Sequence, residues 1–300
     1  MLTLEKIRGV FAPVPTPFNP DESLNLSGWE ANLEMWKETA LDGIVIAGSN
    51  GEMPFLELEE RVMLTQTAVK ICGAEKHIMT GAYFATQSRT IEAAKNLADA
   101  GAQSLLLLPP HYFKGNDKAI LDYFINVADK SPVPLFLYNM PRNTGVDISK
   151  EVILEAAEHP NIRGIKDTSG DMSKLGYVTA EAPQGFSVFG GTGNWFLAAL
   201  AMGACGGTMA VSIIFPGACK RLYDDFYAGN IQEALELQKR LLPVSDALTR
   251  RFGIAGLKHA MAQRGMTGGH CRRPLLPLSE EDKKTLCTII DESELMAFEK

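Results

Sequence analysis

A chain of 300 residues can bury a sizeable core, as one large barrel or as two smaller domains. With 46% hydrophobic and 22% charged residues, its composition excludes the disordered, collagen-like and disulfide-framed classes. A net charge of −7 argues against a nucleic-acid footprint, which needs a basic face, and against a membrane-surface role, yet allows a small anionic substrate in a locally positive pocket.

Short apolar runs alternate with amphipathic stretches up to about residue 225, with no linker or low-complexity break. The runs at 9–14, 43–47, 77–82, 104–108, 134–138, 162–166, 187–189 and 207–211 predict eight strands. Each is apolar on both faces, as a buried parallel strand requires. Residues 58–71 predict a helix, with Glu59 and Glu60 in its first turn and Lys70 near its end, all favouring the helix dipole. In 86–100, Ile91, Ala94, Leu97 and Ala98 fall at helical spacing, Thr86 is the expected N-cap and Gly101 the expected C-terminal stop.

Eight alternations fit a closed (β/α)₈ TIM barrel. An open doubly wound sheet is the alternative, but it has fewer strands and a glycine-rich first turn, whereas Pro13-Val14-Pro15-Thr16-Pro17 follows the first strand here. The expected organisation is an α/β catalytic barrel over 1–225 and a C-terminal helical extension over 226–300. The extension shows an amphipathic stretch at 232–242, another at 244–251, a Gly/Arg-rich segment, and a helix over 279–290 opened by Ser279.

Cys72, Cys205, Cys219, Cys271 and Cys287 are odd in number and form no CxxC pair. They read as reduced thiols packed as small apolar residues, neither bridges nor zinc ligands. The first ten residues carry no apolar run suited to a signal peptide. The longest apolar stretches are strand-length, too short for a bilayer. A cytoplasmic protein is the expectation; mitochondrial import would need a presequence outside this sequence.

In such barrels function gathers at the C-terminal ends of the strands. Lys166, after Ile162-Arg163-Gly164-Ile165, would point inward by alternation. Desolvation there lowers a lysine's pKa, and the neutral amine is a nucleophile towards a ketone. The competing reading is a strand-end lysine snorkelling to solvent or paired with Asp167. Tyr138 could move protons, or could simply fill the core. Gly48-Ser49-Asn50-Gly51 offers backbone amides that can hold a carboxylate, and is also an ordinary connector. His111, His159 and His270 lack metal-ligand spacing and read as non-catalytic, and no HExxH, GxSxG or GxxxxGK[ST] pattern occurs.

Taken together, Pro13 to Phe18, Gly48-Ser49-Asn50-Gly51-Glu52, Tyr138-Asn139-Met140-Pro141 with Thr144-Gly145, Gly164-Ile165-Lys166-Asp167 with Ser169-Gly170-Asp171, and Gly190-Gly191 resemble the dihydrodipicolinate synthase / N-acetylneuraminate lyase family of pyruvate-dependent class I aldolases. The resemblance implies that Lys166 forms a Schiff base with a 2-oxo acid and that Tyr138 transfers protons. It implies that Ser49 and Asn50 bind the substrate carboxylate, with Gly48, Asn143, Gly190 and Gly191 also in the substrate site. Ser49 would bridge Tyr138 to Tyr112, the latter from a neighbouring subunit, in a homotetramer built from dimers. No metal or organic cofactor is expected.

Two departures bear on the substrate. Dihydrodipicolinate synthases usually carry a threonine pair where this chain has Ser49-Asn50, and an arginine where it has Asn143; Arg142 stands one position earlier. Pro54-Phe55-Leu56, Asn143-Thr144-Gly145, His159-Pro160-Asn161-Ile162 and Thr249-Arg250-Arg251-Phe252-Gly253-Ile254 resemble the 4-hydroxy-2-oxoglutarate aldolases of the family. Cleavage of 4-hydroxy-2-oxoglutarate to pyruvate and glyoxylate is the expected reaction. Dihydrodipicolinate synthesis, cleavage of 2-keto-3-deoxy sugar acids or N-acetylneuraminate, and a silent binding barrel are the alternatives. A phosphate-binding barrel enzyme has slight support from Gly190-Gly191-Thr192-Gly193.

Overall fold

A computed structural model describes residues 6–299. Eight parallel strands close into a barrel in chain order, β1 pairing with β8. They are β1 (Gly9–Pro13), β2 (Gly43–Ile46), β3 (His77–Gly81), β4 (Ser104–Leu107), β5 (Leu135–Asn139), β6 (Ile162–Asp167), β7 (Ser187–Gly190) and β8 (Gly206–Thr208). The helices are α1 (Leu26–Lys37), α2 (Leu58–Cys72), α3 (Gln87–Asp99), α4 (Asp117–Ala128), the short α5 (Pro141–Thr144), α6 (Lys150–Ala157), α7 (Met172–Glu181), α8 (Phe196–Ala201) and α9 (Pro216–Tyr227). Beyond these come α10 (Ile231–Asp246), a π-helical turn (Ala247–Arg251), α11 (Gly253–Gln263) and α12 (Glu280–Glu292).

Local chemistry sets the boundaries. The Thr86 hydroxyl accepts from the Arg89 amide to cap α3, and Gly101 takes a positive φ after it, as its missing side chain permits. Ser279 caps α12 by accepting from the Asp282 amide. The expected strands hold to within one to three residues, and the largest difference is at the eighth. There β8 stops at Thr208, and the chain turns into a 3₁₀ helix at Ala210. The Ser212 hydroxyl, just past the expected strand end, donates among the carbonyls of Phe11 and Met209 at 2.9 and 2.7 Å. At β2, Ala47 adopts a left-handed φ of 50°, which ends the strand one residue early.

The lower barrel is filled by aromatic rings seated on glycines. Phe11, Phe136 and Phe189 meet edge to face, with centroids 5.1 and 5.7 Å apart. Gly43 and Gly164, their strand neighbours in register, leave no room for a side chain beneath Phe11 and Phe136. Beside Phe11, His77 is held 2.8 Å from the Ser104 hydroxyl, and burial lowers its pKa to about 4.

The C-terminal helices are not peripheral. Leu237, Leu241 and Val244 of α10, Leu257 of α11 and Leu286 of α12 join Val10, Ile44 and Trp36 in one apolar cluster. The indole N–H groups of Trp29 and Trp36 donate to the carbonyls of Leu64 and Ile213 at 3.2 Å, satisfying the polar ends of two buried rings. Among the described residues no helix is long and apolar enough to cross a membrane.

Candidate active site

Strands β5 and β6 run in register, Tyr138 opposite Lys166 and Asn139 opposite Asp167. Alternation therefore sends the first pair into the barrel and the second outward. Lys166 is 4% exposed, and its Nζ lies 4.4 Å from the centre of the Tyr138 ring. Among the described residues it has no ion pair. Asp167, the partner that a structural reading would supply, is engaged elsewhere: it accepts from Asn139 Nδ2 at 2.8 Å and from the Ser169 amide at 2.8 Å. Lys174 Nζ stands 3.7 Å from it. Desolvation without a compensating carboxylate pulls the Lys166 pKa from the ordinary 10.5 to about 7. The amine is thus substantially neutral near physiological pH.

Burial acts in the opposite sense on Tyr138, whose pKa rises to about 12, partly offset by its hydrogen bond with Ser49. The hydroxyls of Ser49 and Tyr138 are 3.2 Å apart. Tyr138 is therefore a phenol at neutral pH, able to donate one proton and accept another.

Ser49 and Asn50 stand on a turn fixed from several directions. The amides of Gly51 and Met53 both donate to the Gly48 carbonyl, and the Thr16 hydroxyl donates to the Gly51 carbonyl at 2.8 Å. Among the described residues neither the Ser49 nor the Asn50 amide donates to a protein acceptor, so both remain for a ligand. Glu52 closes the turn in a left-handed conformation and is 1% exposed. Lys258 of α11 approaches its carboxylate to 2.5 Å, and the Arg272 amide donates to it at 2.8 Å. The C-terminal helices thereby hold the strand-2 turn.

These groups open on a cavity of about 740 Å³ at the C-terminal ends of the strands. Of the expected site residues, Ser49, Asn50, Tyr138, Asn143, Lys166 and Gly191 line it. Gly48 and Gly190 do not: Gly48 supports the turn, and Gly190 packs where a side chain would meet Ala199 and Trp195. Gly191 spends its amide on the Asp167 carbonyl at 2.7 Å. Tyr112 is 85% exposed, its ring against Phe113, and is not brought to the cavity within one chain. His111, His159 and His270 lie off the cavity wall.

The sequence reading missed the other half of the wall. Leu248, Thr249, Arg250, Gly253 and Ile254 of the extension also line the cavity. Their segment was visible only as a shared motif. The Glu52–Lys258 pair, which joins residues about 200 positions apart, has no local signature. Among the described residues no cluster of three His, Cys, Asp or Glu side chains could hold a metal ion.

Residues 6–293 match the model of the dihydrodipicolinate synthetase family. The chain belongs to this family. It is accordingly a class I, pyruvate-dependent lyase. It is 34% identical over 284 residues to a 4-hydroxy-tetrahydrodipicolinate synthase from Exiguobacterium sp., covering 95% of this chain and 97% of the relative. It is 33% identical over 294 residues to a protein of Emericella nidulans named "Probable 4-hydroxy-2-oxoglutarate aldolase, mitochondrial", covering 96% and 95%. The solved 4-hydroxy-tetrahydrodipicolinate synthase of Methylacidiphilum fumariolicum SolV superposes with a TM-score of 0.92 at 28% identity, covering 98% of this chain and all of that one.

Proposed function

We propose that Lys166 forms an imine with the C2 ketone of a 2-oxo acid and that the enzyme cleaves 4-hydroxy-2-oxoglutarate to pyruvate and glyoxylate. The observation that carries the imine reading is a buried lysine with no ion pair among the described residues, its pKa lowered to about 7, its Nζ 4.4 Å from the centre of the Tyr138 ring. The substrate assignment draws on the shared Thr249–Ile254 motif, on Asn143 in place of the synthases' arginine, and on the likeness to the Emericella nidulans protein. Dihydrodipicolinate synthesis is the second reading, favoured by the names of relatives such as that from Exiguobacterium sp..

The chemistry proceeds as follows. The neutral amine attacks C2 while the substrate carboxylate lies against the Ser49 and Asn50 amides. Tyr138, relayed by Ser49, protonates the departing hydroxyl, and water leaves to give the iminium. The proton of the 4-hydroxyl then passes to the Tyr138–Ser49 pair as the C3–C4 bond breaks. Its electrons move to the iminium nitrogen, glyoxylate departs, and an enamine remains. Protonation at C3 and hydrolysis release pyruvate and restore the lysine. The steps as written draw on no metal or organic cofactor, because the iminium is the electron sink.

The exposed Tyr112 fits the reading in which a second copy of the chain receives it, within a homotetramer built from dimers.

Borohydride reduction with pyruvate, followed by peptide mass spectrometry, tests the imine. A pyruvyl adduct on the Lys166 peptide is expected; an adduct elsewhere, or none, would overturn the assignment. Pyruvate release from 4-hydroxy-2-oxoglutarate, coupled to lactate dehydrogenase, tests the substrate. Failure there, with pyruvate consumed alongside aspartate semialdehyde, would establish the second reading.

A further inference from the structure

The turn that carries Ser49 and Asn50 ends on a buried charge of the wrong sign for its proposed ligand. Glu52 stands two residues beyond Asn50 with its side chain wholly buried, and its amide donates to the Ser49 carbonyl at 3.2 Å. A carboxylate left bare at that place would repel the anion that the Ser49 and Asn50 amides are free to receive.

Among the described residues Glu52 has one ion pair. Lys258 Nζ stands 2.5 Å from its Oε1, an oxygen with no hydrogen-bond partner among the described residues. The other oxygen takes the backbone amide of Arg272 at 2.8 Å. The Arg272 guanidinium is engaged elsewhere: it pairs with both oxygens of Glu60 and donates to the Glu22 carbonyl at 3.0 and 2.9 Å. Lys258 is therefore the cation that faces Glu52, and it is held there. Its side chain is 3% exposed, its ammonium donates to the His270 carbonyl, and it lies 4.7 Å from the centre of the Phe18 ring. The His270 amide in turn donates to the Phe18 carbonyl at 2.9 Å. Neither Glu52 nor Lys258 lines the cavity.

We infer that Lys258 is a positioning residue that acts through charge: by neutralising Glu52 it keeps the Ser49–Asn50 turn receptive to a carboxylate, so a side chain outside the cavity sets the affinity for the 2-oxo acid. The inference rests on the reading that the C1 carboxylate lies against those two amides.

The test compares pyruvate with pyruvamide, which keeps the ketone and replaces the carboxylate by a neutral amide. Calorimetry on the intact enzyme is run at about pH 9, where a stranded Glu52 remains ionised. Lys258→Met should weaken pyruvate at least about tenfold, the worth of one unit charge at short range inside a protein, and pyruvamide by less than about threefold. Glu52→Gln keeps an acceptor for the Arg272 amide and has the opposite sign: pyruvate should bind at least as tightly as in the parent. The Glu52→Gln/Lys258→Met double variant buries neither charge, and should return pyruvate to within about threefold of the parent.

Stranding one partner of a buried pair is strongly destabilising, so where Lys258→Met does not fold, the other two variants decide. Pyruvate bound more than about threefold weaker by folded Glu52→Gln or by the folded double variant overturns the inference. So does a folded Lys258→Met that loses pyruvate and pyruvamide alike, or neither. Controls on the parent keep the readings apart. Equal affinity for pyruvate and pyruvamide sinks the carboxylate site, and no borohydride adduct on Lys166 sinks the imine. With both controls met, the wrong pattern among the variants sinks the role of Lys258 alone.

Discussion

The two faces of the β5–β6 pair carry the same kinds of chemistry to opposite ends. Outward, Asp167 and Asn139 sit in a satisfied network: Asn139 Nδ2 reaches Asp147 and Asp167 at 2.7 and 2.8 Å, and its oxygen accepts from the Ile148 amide at 3.0 Å. Lys174 bridges Asp147 and Asp167. Inward, one residue away along each strand, Lys166 has an aromatic face and no counterion. Both faces bury a lysine, but the outer one is matched with carboxylates, whereas on the inner face unmatched burial pulls the Lys166 pKa down to about 7. Unmatched burial is thus what separates the amine that we propose as the nucleophile from a structural one here.

Three substitutions would break or sharpen that contrast. The largest effect is expected from Lys166→Met, which should abolish turnover outright in the coupled assay. The same change should raise stability. Below about pH 7 Lys166 is charged in both folded and unfolded chains, so the fold bears the full cost of burying the charge. As pH climbs towards the ordinary 10.5 the unfolded lysine also deprotonates, and the cost disappears. Urea unfolding at pH 7 should therefore show the variant more stable by about 2–4 kcal/mol, with the gain shrinking as pH approaches 10. A gain independent of pH would mean that Lys166 is not held neutral. In the parent enzyme kcat/KM should rise as pH increases through about 7.

Tyr138→Phe should slow turnover by about 10²–10⁴-fold, the usual worth of a positioned proton donor, with the borohydride adduct on Lys166 still forming slowly. On the outer face Asp167→Ala leaves Lys174 and Asn139 Nδ2 with Asp147 as their shared carboxylate and frees the Ser169 amide, and should lower unfolding free energy by about 3 kcal/mol. If Asp167→Ala left stability intact but changed the pH profile, the two faces would be coupled and the contrast would fail.

How much of this was legible beforehand depended on range. The strands could be read because apolar runs and glycines are local, and Lys166 and Tyr138 because alternation within one strand decides their direction. Where they ended was harder, since Ala47 takes a left-handed φ at the end of β2, and past β8 the chain turns into a 3₁₀ helix in which Ser212 reaches the distant Phe11 carbonyl. The aromatic floor was invisible for the same reason, and Arg142 could be singled out beside Asn143 without its contact to the extension being visible. Phe11 rests on Gly43, and Arg142 meets Thr249 across 107 positions. The Gly190-Gly191 pair was read as substrate-facing. Only Gly191 reaches the cavity, and its amide is already taken by Asp167.

The Glu52–Lys258 pair has a bearing on how the enzyme comes into being. Synthesis is vectorial, at roughly 5–20 residues per second, so every barrel strand has left the ribosome before residue 258 does. A nascent chain at that stage holds Lys166 and Tyr138 on their strands, yet its Glu52 carboxylate has no cation and its cavity no outer wall. Competence therefore arrives last, with α11 and the segment around Arg272. The strand-2 turn that we propose as the carboxylate site thus receives its buried counterion only when the chain is nearly complete.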